Sequence, residues 1–164
     1  MIARVFGVIG LAVIAVAALD RGVVEPLRCS HAASTGSILL DSISGAPDDR
    51  RLAAAALVRA SLRHCENISP PDVGIPFTLG AAEEMSGDYR AAIDAYERAL
   101  RIDRRPEIYF RLGVAQLDAL DRTAGVASLT RACTFDPRLL AEIPYEDVRR
   151  EVEGRIRTQH GAAW

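Results

Sequence analysis

The side chains with the most scope for chemistry are three cysteines, three histidines and an adjacent pair of glutamates. Cys29 and His31 lie two positions apart, and His64 and Cys65 are neighbours. A metal site of two thiolates and two imidazoles would need these two short segments to meet in space, because neither holds a closed ligand set by itself. His160 stands far from both in the sequence. Glu83 and Glu84 are consecutive on a stretch that reads as helix, so they point in different directions and do not form a facing carboxylate pair. No G-x-S-x-G, H-E-x-x-H, G-x-G-x-x-G or phosphate-loop pattern occurs. All 20 basic residues are arginine, which excludes a Schiff-base or phosphate-loop lysine. The sequence therefore reads as a protein that is not an enzyme, with no catalytic residue, no cofactor and no metal assigned.

The cysteines carry a second kind of information. Cys29 and Cys65 are 36 positions apart and lie outside the regular helical repeats described below. They are the candidate disulfide pair of an exported protein, and closing a loop of that length contributes about 3–4 kcal/mol in the chain-entropy account. Two free, buried thiols are the alternative. Cys133 sits in an apolar stretch near a helix end and reads as core packing.

The compartment is set by the first twenty residues. Arg4 precedes an uncharged run from Val5 to Leu19, which Asp20-Arg21 closes. A helix through 1–20 is a short candidate for a transmembrane anchor, since a bilayer core takes about 20 residues. Contact with membrane lipid would then run through residues 5–19. The same segment fits a cleaved signal peptide, with Ala15-Val16-Ala17 as the small residues before the cut. Either way the rest of the chain is exported. The first expectation is a single-pass membrane protein with a periplasmic carboxy-terminal domain, acting as a scaffold or accessory subunit of a membrane or envelope complex. The second is a soluble periplasmic binding protein. The third is an enzyme or cofactor carrier that uses the helices as support. A formal net charge of -2 over 164 residues excludes the strongly basic footprint of a nucleic-acid binder.

The elements that would position a site are helical. Residues 21–46 mix Pro26, several serines and glycines and read as a linker, with a short helix beginning near Ser37. Residues 47–158 read as a helical repeat domain, and 159–164 as a tail. Pro47-Asp48-Asp49 opens a helix in which Leu52, Ala55, Ala56, Val58, Leu62 and Cys65 form a rough stripe. From Pro76 to Pro137 the chain repeats. Leu79 and Leu112, Gly80 and Gly113, Ala99 and Ala132, and Asp103 and Asp136 are each 33 residues apart. Matched residue types at one interval imply a repeated helix–turn–helix unit. Gly87-Asp88 is its first turn, with Asp88 placed to cap the next helix. Tyr89, Ile93, Tyr96 and Leu100 recur at helical spacing and form a buried stripe. Asp94–Arg98 and Glu97–Arg101 are four apart on the wet face. Tyr145, Val148, Val152 and Ile156 form the stripe of a last helix that closes the open edge.

This pattern resembles the tetratricopeptide repeat family. Leu79, Gly80, Gly87-Asp88-Tyr89, Ala92, Tyr96, Ala99 and Leu100 carry the likeness in residues 76–106. The unit at 107–139 departs from it, with Leu120 in place of the turn glycine and Gly125 in place of a small alanine. The resemblance implies an all-α array of about two to two and a half helical hairpins, two of them over residues 76–139 and a half-unit before them at 51–70, behind an amino-terminal hydrophobic helix and before a capping helix. It also implies a protein or peptide partner, held in a groove lined by the first helix of each unit. The groove residues so implied are Phe77, Ala81, Glu84 and Met85 in the first unit, and Phe110, Val114, Leu117 and Asp118 in the second.

Overall fold

The computed structural model describes residues 20–66 and 71–160. Seven α-helices are found among them, and consecutive helices pack against one another in a repeat-like series. A π-helical turn over Asp20–Val24 leads into α1, Glu25–Ser42. Residues read from the sequence as linker thus form the longest of the seven helices. The difference has a physical cause. Helix α1 buries Cys29, Ala33, Gly36 and Leu40, at intervals of four, three and four. Three of these side chains are small or absent, so the stripe is weak by hydrophobicity but suits close helix contact. A Cβ at Gly36 would meet Thr78 Cγ2 and Val58 Cγ1, both at 3.2 Å.

Helix α2 spans Asp48–Leu62 and starts after Pro47, with Asp48 and Asp49 in its first turn, at the positive end of the helix dipole. It buries Ala55, Val58 and Leu62 against α1 and the next helix, while Leu52 and Ala56 of the expected stripe face outward. A 3-10 turn over Arg63–Cys65 follows.

Two hairpins come next. Helices α3 (Gly74–Met85) and α4 (Tyr89–Ile102) form the first, and α5 (Pro106–Asp118) and α6 (Arg122–Phe135) the second. In each, an aspartate caps the second helix. The Asp88 carboxylate accepts from the Ala91 amide at 3.1 Å, and Asp121 from the Ala124 amide at 3.0 Å. Gly80 lies against Tyr96, and Gly113 against Leu129 and the backbone of Gly125. A 3-10 segment, Pro137–Glu142, then turns the chain into α7, Glu146–His160. Val148, Val152 and Ile156 are buried on α6, whereas Tyr145, just before the helix, remains 40% exposed. Arg122, at the start of α6, reaches Asp147 at 2.6 Å and Glu151 at 3.1 Å and ties α7 to the second hairpin. Cys133 is fully buried in this end of the core, and burial pushes its thiol pKa up to about 11. Arg98 does not pair with Asp94 along its own helix; it reaches Glu66 at 3.1 Å.

Among the described residues no helix is long and apolar enough to cross a membrane. Helix α1 has the length, but it carries Glu25, Arg28 and Asp41, and its buried face packs on α2 and α3. This finding corrects the membrane-anchored scaffold, the transmembrane helix, the lipid contact and the single-pass localisation expected above. Residues 5–19, to which those expectations were attached, lie outside the described residues.

Candidate functional site

A cavity of about 250 Å³ opens between the carboxy-terminal ends of the first helices. Leu40 and Asp41 of α1, with Ser44 beyond it, make one wall, and Arg51 of α2 adds to it. Ala81, Glu84 and Met85 of α3 form the floor, with Tyr89 of α4 at one side. Arg111 and Asp118 of α5 complete the far wall. Neighbouring helices of the array expose successive turns to one space, which is why residues far apart in sequence meet here.

The polar centre of this cavity is Glu84. Its Oε2 accepts the Tyr96 hydroxyl at 2.8 Å, and Arg111 donates to Oε1 at 3.4 Å. Burial holds the Glu84 carboxyl above its usual pKa, partly offset by Arg111 and by the Tyr96 hydroxyl. Burial likewise pushes the Tyr96 phenol well above its ordinary value, and the Glu84 carboxylate adds to it. Glu83, one residue earlier, turns away to Arg59 at 2.9 Å. The adjacent acids therefore serve different helices. Asp118 accepts the Tyr145 hydroxyl, and this bond pushes the phenol pKa up to about 12. Arg51 has its Nε buried without a hydrogen-bond partner and reaches Asp48 at 3.4 Å.

Of the eight groove residues expected, Ala81, Glu84, Met85 and Asp118 line this cavity. Phe77 lies elsewhere, in a separate apolar slot with Val73 and Ile108, rimmed by Arg105 and Glu107. Phe110 and Val114 pack on the core shared by α5, α6 and α7. Leu117 packs there too, and also lines a cavity with Leu120, Tyr145 and Val148 at the α7 end. Sequence reasoning missed Arg51, Arg111 and the α1 wall. Arg111 had no signal from the repeat, since its counterpart 33 residues earlier, Thr78, is buried and does not line the cavity. The α1 wall had none either, because α1 itself was read as linker.

A second constellation lies near the opposite, amino-terminal end of α1. Cys29 is bonded to Cys65, with Cα atoms 5.6 Å apart, so the two segments that hold cysteine and histidine do meet. His64 Nε2 stands 3.5 Å from Cys65 Sγ. Both cysteines are buried and His64 is exposed. His31 is exposed on α1 and is not part of this group.

The chain matches no protein-family model, and no curated protein matches it in sequence.

Proposed function

We propose that this chain is a tetratricopeptide-like binding module that works as a soluble, extracytoplasmic protein, its leader removed, and holds a peptide or a protein surface in the cavity between α1, α3 and α5. The observation that carries this reading is the convergence of five helices on one cavity whose lining is part apolar, through Leu40, Ala81 and Met85, and part charged, through Glu84 and Arg111. An apolar floor with a few placed polar groups is what a binding groove needs for affinity and for orientation. The Cys29–Cys65 bond supports the compartment, because disulfides persist in oxidising environments. No catalytic role is part of this reading.

The test places a photo-crosslinking side chain at Met85 in the full chain and in living cells. A second copy of the experiment places it at Leu57, which is 60% exposed on α2 and outside the cavity. Discrete adducts at position 85 that are absent at 57 are expected. Identical adducts at both positions, or none at 85, would overturn the groove. The mature chain should also lack roughly its first seventeen or eighteen residues by intact mass.

A further inference from the structure

We propose that Cys29, His64 and Cys65 form a zinc site when the disulfide is reduced, so that the same pair of cysteines closes the α1–α2 junction either covalently or through a metal. The three donor atoms already lie within 4.8 Å of one another. Tetrahedral zinc with bonds of about 2.0–2.3 Å holds its donors roughly 3.3–3.8 Å apart. His64 Nε2, at 3.5 Å from Cys65 Sγ, stands at that separation. Cα atoms 5.6 Å apart let rotation about the two Cα–Cβ bonds bring the freed sulfurs to the same spacing. With its proton on Nδ1, the exposed His64 ring offers the Nε2 lone pair. Three protein donors leave a fourth tetrahedral position for water, which would enter beside the exposed His64 ring because both cysteines are buried. Nearby carboxylates are engaged elsewhere: Glu66 by Arg98, and Asp72 by Ser30 and the Gly74 amide. Two thiolates and one imidazole are a donor set that favours zinc over hard cations.

The steps balance. A dithiol reductant gives two electrons and two protons to the disulfide, leaving two cysteine thiols and itself oxidised to a disulfide. Zinc then displaces the two thiol protons to solvent and takes the two thiolates and the imidazole as ligands. In the oxidised protein neither sulfur is a thiolate, so the covalent and metal-bound states exclude each other.

The full protein is reduced with an immobilised dithiol under argon, separated from it, and titrated with zinc alone against a chromophoric chelator. One zinc per chain, bound at submicromolar Kd, is expected in the reduced protein, with none in the oxidised protein. His64→Ala should weaken binding at least tenfold and keep the disulfide and the melting curve of the oxidised form. His31→Ala should bind as the parent does. Circular dichroism of each sample establishes that the site is read in folded protein. The proposal fails if folded or unfolded reduced protein takes up no zinc, or if zinc binds only a chain that has lost its helicity. It fails equally if His64→Ala binds as tightly as the parent, or if His31→Ala loses the metal.

Discussion

The two hairpins are built on one plan with different side chains at its centre. Positions 33 apart make the exchange plain: Glu84 and Tyr96 of the first become Leu117 and Leu129 of the second. A Cβ at Gly80 would stand 2.6 Å from the Tyr96 ring, and one at Gly113 would stand 2.7 Å from Leu129 Cγ. The first hairpin thus closes on an aromatic ring whose hydroxyl needs an acceptor, and Glu84 supplies it. The second closes on a leucine with no such need. Its helices come closer, because Gly113 faces Gly125 where the first hairpin has Gly80 and Ala92. Keeping the glycine while changing its partner gives one hairpin a buried phenol–carboxylate bond beside the cavity and gives the other a glycine–leucine contact there, with its hydrogen bond between helices, Ser128 Oγ to Gln116 Oε1 at 2.7 Å, set elsewhere along the pair.

The largest test of that contrast is alanine at each glycine. At Gly113 the added carbon meets backbone, the Gly125 carbonyl and the Leu129 amide, both at 3.0 Å, as well as Leu129 Cγ. Backbone cannot yield as a ring can. Gly113→Ala should cost about 3 kcal/mol, and Gly80→Ala about 2 kcal/mol, by urea denaturation. An equal or reversed order would break the comparison.

Tyr96→Phe removes the hydroxyl from Glu84 and leaves Arg111 as its polar neighbour. A loss of about 1–2 kcal/mol is expected. The turns differ as well. Gly87 takes φ 77°, which glycine adopts freely, whereas Leu120 is held at φ 66° with its side chain 92% exposed. Leu120→Gly should stabilise the protein by about 1 kcal/mol, and Gly87→Leu should destabilise it by a similar amount. Melting temperatures of the two variants check the sign.

The smallest effect is titration. Burial raises the Glu84 pKa, so the folded chain keeps that proton to higher pH than the unfolded chain does. The stabilisation from Glu84 protonation is complete below the ordinary carboxylate pKa and is lost as pH rises through the folded value. Tyr96→Phe removes a bond that favours the charged form and should steepen this decline. A denaturation series across that range that is flat for both proteins would remove Glu84 from the account.

The repeat was legible because packing in both hairpins needs the same small residue at the same place, and a 33-residue interval between glycines survives any change in the residues around them. The first cap was legible beside its turn glycine, where Asp88 meets an amide three residues on; the matching cap at Asp121, which follows Leu120 instead of glycine, emerged only in the structure. Helix α1 was not legible, since Cys29, Ala33 and Gly36 bury little apolar surface each and make no stripe by hydrophobicity. The groove was half legible. Ala81, Glu84, Met85 and Asp118 follow from helix position alone, but Phe110 and Val114 turn to the core, which only the placement of α7 decides.

Each end of the stacked series is covered by a helix outside the repeated hairpins, α1 with α2 on one side and α7 on the other. The short joint Asp103–Arg105 between the hairpins makes no demand on either cover. A further copy of the 33-residue unit spliced into that joint would meet α4 and α5 as its neighbours do, lengthening the row of hairpins while both lids stay in place. The molecule is in that sense a bookshelf with fixed ends and room between them.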